Sequence, residues 1–223
     1  MMPHPVSLAF NTIGLVSNVY ALCNMNANAF ENPYANGFGG QYQYLTIIGL
    51  ATATIAFGLK IMRYFVPKFS PLIYEVVTNI ATPLEGLISV LYWSMTLIDP
   101  HLLVPEDVPG IPFLLDCAFH LFPAVFLWVD FLAFDIDFKR SNAHVGVIYG
   151  FAVFYFCWAW ICYQVNGFWA YPFLGELSTS MRAAFFVASG VLCWAMYEFG
   201  ARVHHKIHAK AILLKQKGLR LTE

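Results

Sequence analysis

Charge is what this sequence has least of. Charged residues fill 11% of its 223 positions, against about a quarter in a soluble domain that must cover its surface with them. That shortage excludes water-soluble enzymes and nucleic-acid binders. Hydrophobic residues supply 59% of the chain and the mean hydropathy is +0.62, which excludes a disordered tail. Cysteine is sparse and odd in number: Cys23, Cys117, Cys157, Cys162 and Cys193 lie apart, mostly inside apolar runs, a poor framework for a disulfide-stapled secreted module. Apolar and polar residues do not alternate along the runs, which argues against a membrane β-barrel.

What the sequence has is a series of long apolar runs. A spanning helix takes about 20 such residues, and residues 6–22, 44–65, 76–98, 111–134, 145–165 and 183–203 qualify. The expectation is an all-α polytopic transmembrane helical bundle of about six spans over residues 1–203, with no soluble domain. A basic cytosolic tail, 204–223, follows. Six spans put both termini on one side, which then collects eleven cations: Lys60, Arg63, Lys68, Lys139, Arg140, Arg202, Lys206, Lys210, Lys215, Lys217 and Arg220. Arg182 stands alone opposite. The positive-inside rule therefore makes the termini cytosolic, in the endoplasmic reticulum or the plasma membrane. Asn11 and Asn18 interrupt the first run, and Ala27-Asn28-Ala29 resembles a cleavage site. No Lys or Arg precedes that run as a signal's n-region requires, so a retained span is expected. The tail mixes basic and apolar residues, as in a helix lying on anionic headgroups. His204 and His208 have the i, i+4 spacing of metal ligands but lack a third. No metal and no cofactor is expected, and no obligate protein partner; membrane lipids are the implied surroundings.

Ionisable groups inside a bilayer are costly and mark functional positions. Four are expected at depth: Glu85, Asp116, His120 and Asp130. Asp116 and His120, four apart, share a helical face. A carboxylate beside an imidazole fixes its tautomer and stabilises the imidazolium, which suits a general base; the same pair could equally tie helices together. No G-x-S-x-G elbow and no H-E-x-x-H occurs, which disfavours an α/β-hydrolase and a zincin. His120 is the one histidine expected at depth, which disfavours a bis-His haem bundle. Cys117 gains no thiolate character from its neighbour Asp116. Among the hydroxyls Thr46 stands out, following a Gly- and Tyr-rich loop at the start of the second run. A membrane threonine commonly bonds back to the i−4 carbonyl instead.

Three stretches then resemble one family. Gly39-Gly40-Gln41-Tyr42-Gln43-Tyr44-Leu45-Thr46, the Asp116-to-His120 stretch with Pro123 and Asp130, and Val165-Asn166-Gly167-Phe168-Trp169-Ala170-Tyr171-Pro172-Phe173-Leu174 are similar, in order and spacing, to signatures of the androgen-induced protein family. The resemblance covers most of the chain. It implies a multipass hydrolase with a threonine nucleophile and a histidine base, acting on fatty acid esters of hydroxy fatty acids. Carried over by motif, the nucleophile is Thr46 and the base His120. Asp116 stands where the family pattern has Asn, and Glu85 has no acidic counterpart there.

Depth agrees with that pairing: Thr46 and His120 fall in the same, non-cytosolic half of their spans. In the expected mechanism His120, oriented by Asp116, deprotonates Thr46, which attacks the ester of a lipid substrate. Asn166, Tyr171 or amides near Gly39 and Gly40 are candidate oxyanion donors. Trp158, Trp160, Phe168 and Trp169 could line a tunnel or form an interfacial belt. Asn166, Trp169, Tyr171 and Glu85 are the candidate substrate-binding residues. Pro83 is expected to kink the third span. Asp130, about 15 Å beyond His120, is expected as a structural partner of Lys60 or Arg63. Two other readings stay open: a non-enzymatic transporter or scaffold using the buried ionisable groups, and an acyltransferase using the same pair.

Overall fold

The computed structural model describes residues 4–25, 33–66, 69, 71–106, 108 and 110–216. Lys68, Asp107, Lys217, Arg220 and the Ala27-Asn28-Ala29 site lie outside them. Among the described residues every regular element is helical. The elements are α1 (Pro5–Asn24), α2 (Leu45–Phe65), α3 (Pro71–Ile98), α4 (Phe113–His120), α5 (Phe122–Phe134), α6 (Asn142–Asn166), α7 (Pro172–Glu176) and α8 (Thr179–Gln216), with 3₁₀ turns at Pro33–Asn36, Gly40–Gln43 and Pro100–Leu102.

The bundle is inside-out by the standards of a soluble protein. Along α1 the buried residues are Ser7, Asn11, Gly14, Asn18 and Ala21, a polar and small stripe at helical spacing. Its apolar residues Ile13, Val16 and Val19 are exposed. Val153 on α6 and Val187 and Phe199 on α8 also face outward. Such an arrangement needs an apolar solvent, in which small residues let helices approach and polar ones bond across them. Gly14 receives the Phe57 ring of α2, and Asn18 donates to the Leu50 carbonyl and the Thr54 hydroxyl. The first run is therefore an integral wall of the bundle.

Among the described residues four helices are long and apolar enough to cross a membrane: α1, α2, α6 and the Thr179–Ala209 part of α8. Residues 111–134, expected as one span, are two helices meeting at 45°. The break falls at Leu121, whose φ of −126° leaves the helical range. Pro123 explains it: proline is tolerated only in a helix's first turn, where its missing N–H and its ring do no harm. The pair would count as a fifth crossing. α3 has the length to cross, 28 residues including Pro83, but Glu75, Asn79 and Glu85 make it less apolar. It sits centrally, packed on α2, α4, α5, α6 and α8.

Two further expectations change. Lys60, counted with the cytosolic-side cations and also expected as a partner of Asp130, is buried in α2, with Nζ 2.7 Å from Asp130 Oδ2. Ser7 and Asn11 donate to the other carboxylate oxygen, so one buried network ties α1, α2 and α5. Arg63 instead lies over the Tyr74 ring. Burial is also not special to His120, because His144, His204 and His208 are buried as well. His204 and His208 donate to the Asp135 and Leu132 carbonyls, which α5 leaves unpaired at its C-terminal end. Among the described residues no group of three ligands could hold a metal. The helix carrying both histidines runs on without a break past residue 203.

Candidate functional site

Thr46 is the second residue of α2 and is aimed by the loop before it. Gly39 has φ 86° and Gly40 φ 52°, a backbone that disfavours any side chain, and a Cβ on Gly39 would also meet the Cys162 sulfur. α6 holds the loop by its backbone. Asn166 Oδ1 accepts from the Phe38 amide at 2.7 Å and its Nδ2 donates to the Phe38 carbonyl at 3.0 Å. The Trp158 indole donates to the Tyr42 carbonyl and the Tyr155 hydroxyl to the Gln43 carbonyl. Gln43, fully buried, donates to the Tyr34 and Gly40 carbonyls. The Leu45 amide donates to the Tyr171 hydroxyl at 3.0 Å, and that hydroxyl adjoins the Thr46 side chain as well. Tyr171 precedes α7, outside the spans. Burial pushes its hydroxyl above the usual phenol range, against the opposing pull of the Leu45 amide and Thr46, so it remains a proton donor.

Thr46 escapes back-bonding. Thr12, Thr52, Thr54, Thr78 and Thr82 each donate to the carbonyl four residues earlier. For Thr46 that carbonyl belongs to Tyr42, which lies before the helix and accepts from the Trp158 indole.

His120 closes α4 at the break. Its Nδ1 lies 2.7 Å from Asp116 Oδ1, and this bond to an acceptor-only carboxylate puts the ring proton on Nδ1 and leaves Nε2 basic. Tyr92 of α3 stacks face to face on the imidazole, with centroids 3.4 Å apart and planes within 2°. The Tyr92 hydroxyl adjoins the side chains of Asp116 and Thr96. Sequence reasoning missed Tyr92; its only signal was its position four residues before Thr96, on the same helical face.

These groups converge. Thr46, Tyr92, Asp116, His120 and Tyr171 all line one cavity of about 300 Å³, whose other walls include Ile47, Leu103, Val104 and Phe119. Thr46 and His120 are not hydrogen-bonded to each other; they face the same space. Asn166 lies elsewhere, spent on Phe38. Trp169 is packed on Tyr163 at 4.4 Å with Arg182 over its ring, and lines a separate basin of about 650 Å³ with Phe168, His101 and Glu176. Glu85 is buried with Oε1 unpartnered, against Gly49 of α2, and lines neither cavity.

Fold and site define a class: a helical membrane protein that places a His–Asp pair and a threonine hydroxyl beside the Tyr171 hydroxyl in one cavity with largely apolar walls. Residues 6–205 match the FAR-17a/AIG1-like protein family, and the chain belongs to it. It is 28% identical to a UPF0641 membrane protein of Schizosaccharomyces pombe, over 89% of this chain and 90% of that one. Identity is 22% to the androgen-induced gene 1 protein of Homo sapiens, covering 86% and 87%. Against the androgen-dependent TFPI-regulating protein of Rattus norvegicus it is 25%, covering 75% and 77%. No solved structure matches the chain.

Proposed function

We propose that the chain is a membrane-embedded lipid esterase, with Thr46 as nucleophile and His120 as base, hydrolysing fatty acid esters of hydroxy fatty acids. The observation that carries this reading is the shared cavity: Thr46, at the start of α2 with its i−4 carbonyl outside the helix, faces the same space as a carboxylate-oriented imidazole. In the proposed reaction His120 Nε2 takes the Thr46 proton, directly or through one water, as the hydroxyl oxygen bonds the ester carbon. The carbon–oxygen bond to the alcohol breaks, and the alcohol leaves with that proton. Water, deprotonated by the same imidazole, then releases the fatty acid and restores the hydroxyl. The Tyr171 hydroxyl and the amide-rich start of α2 supply partial positive charge for the oxyanion. Tyr92 and Asp116 hold the ring.

The six-span arrangement belongs to this reading, with α3 as the crossing that affords its polar residues because five helices surround it. Cytosolic termini follow from the cation distribution, reduced by Lys60 to ten against one. A second reading, binding for transport, draws on the broken α4–α5 span, since discontinuous helices build transporter sites.

The test uses membranes holding the unaltered protein, Thr46→Ala or His120→Ala, given a fluorophosphonate probe and a lipid ester. The expected result is labelling and turnover in the unaltered protein, falling about 1000-fold or more in either variant. Labelling and hydrolysis that persist in Thr46→Ala would remove the covalent mechanism. Turnover undiminished in both variants, with the ester moved across the membrane, would favour transport. Ester appearing on an added alcohol would identify an acyltransferase.

A further inference from the structure

A second, narrower cavity of about 80 Å³ adjoins the first. Four residues, Thr46, Tyr92, Leu103 and Tyr171, line both and form the partition between them. Beyond the partition the narrow cleft is walled by Ile88 and Leu91 of α3, Leu174 of α7, and Phe186 and Ser189 of α8. Asp116 and His120 line only the wide cavity.

That asymmetry orients an ester. The departing alkoxide must receive its proton from His120, so the alcohol has to lie on the imidazole's side of Thr46, in the wide cavity. The acyl chain, attached to the opposite side of the carbonyl carbon, has the narrow cleft as its continuation. We propose that the narrow cleft is the acyl-chain site and the wide cavity the alcohol site, so that the enzyme selects a slim, unbranched acyl chain and accepts a bulky alcohol. This assignment rests on the esterase reading. Ile88 lies ten residues from the end of α3 at Ile98, and Ser189 ten from the start of α8 at Thr179. Both are about 15 Å down their helices, at a common depth at the far end of the cleft, whereas Thr46 stands at the top of α2. A cleft of about 80 Å³ holds only the acyl segment next to the carbonyl, so branching is read beside Leu91 and Phe186, and a longer chain has to pass between Ile88 and Ser189.

The test measures kcat/KM on two ester series with purified full-length protein in bilayer nanodiscs. One series varies the acyl chain from acetyl to palmitoyl on a fixed hydroxy fatty acid; the other varies the bulk of the alcohol on a fixed acyl group. Ser189→Phe is expected to lower kcat/KM for the longest chains tenfold or more relative to acetyl, the scale set by a methylene that no longer fits, with the alcohol series unchanged. Phe186→Ala is expected to admit α-branched acyl groups, and decides the matter if Ser189→Phe does not fold. Val104→Phe, in the wide cavity, should narrow the alcohol range alone. An acyl profile unmoved by Ser189→Phe and Phe186→Ala, or a shift in alcohol preference instead, overturns the assignment while leaving the esterase intact. No turnover of any ester by the unaltered protein, or turnover surviving Thr46→Ala, removes the esterase reading and the assignment with it.

Discussion

An imidazole stacked on a phenol and tied to a carboxylate has little freedom left. His120 is held in plane by Tyr92 and in tautomer by Asp116, and the two restraints are separable. Asp116→Asn keeps an acceptor oxygen for Nδ1–H but loses the charge that stabilises the imidazolium. Its expected cost in kcat is about ten- to a hundredfold, less than the hundred- to ten-thousandfold typical of losing the base itself. Tyr92→Phe retains the stack and should cost little; Tyr92→Leu frees the ring and should lower kcat with KM nearly unchanged. Equal effects of the two tyrosine variants would assign the role to the hydroxyl. The spacing of Asp116 and His120 was readable because i and i+4 meet on any helix. Tyr92 was not, because the stack depends on where α3 lies against α4, which no local pattern encodes. Glu85 presents the opposite case. Its burial was readable, but it meets Gly49 and not the cavity shared by Thr46 and His120. Replacing an unsatisfied buried polar group by an apolar one of similar shape is neutral or stabilising, so Glu85→Met is expected to raise unfolding resistance in detergent while leaving kcat/KM within about threefold. A collapse of turnover would return Glu85 to the site.

Between elements, the bundle relies on polar ties that a lipid solvent makes costly to break. Lys60 and Asp130 are each buried, and their pair joins α2 to α5 while Ser7 and Asn11 bring in α1. Lys60→Met leaves the carboxylate uncompensated and is expected to destabilise the fold by about 3–5 kcal/mol. Lys60→Met with Asp130→Leu removes both charges and should recover most of that loss. A double variant no better than the single would mean that Ser7 and Asn11, not Lys60, hold the carboxylate. This partnership was readable from depth along the helices, as were the apolar runs of α1, α2, α6 and α8, because both follow from rise per residue and solvent. The break after His120 escaped because the apolar run continues through Leu121 and Phe122, and hydropathy does not register a change of direction; Pro123 alone marked it. Asn166 escaped differently. Its motif pointed to the site, but its amide is used to hold the Phe38 backbone, positioning Thr46 from a distance. Asn166→Ala should accordingly lower kcat and speed amide exchange at Phe38 without lowering the temperature at which the bundle unfolds.

For the whole molecule, the decisive quantity is which way the bundle sits. The cation imbalance survives the loss of Lys60, because Lys139, Arg140, Arg202 and Lys206 cluster at the end of the bundle where α5 meets α6 and α8 leaves the core. Arg182 starts α8 at the opposite end and stays there, donating to the Leu174 carbonyl. The cavity shared by Thr46 and His120 lies at the Arg182 end, since Thr46 begins α2 and the Pro100–Leu102 turn follows α3 there. Under the proposed esterase reading, orientation therefore decides which compartment receives the polar products. A glycosylation acceptor engineered into residues 99–106 should be modified in cells, and one added after residue 216 should not. Ser7, Asn11 and Asn18 bind α1 into the same frame, so removing α1 would leave Asp130 without two of its donors and expose Phe57 where Gly14 now sits. The mature protein is accordingly expected to retain α1, read as an intact mass that includes it. Modification of the C-terminal acceptor with the 99–106 acceptor unmodified would invert the molecule and move product release to the other face.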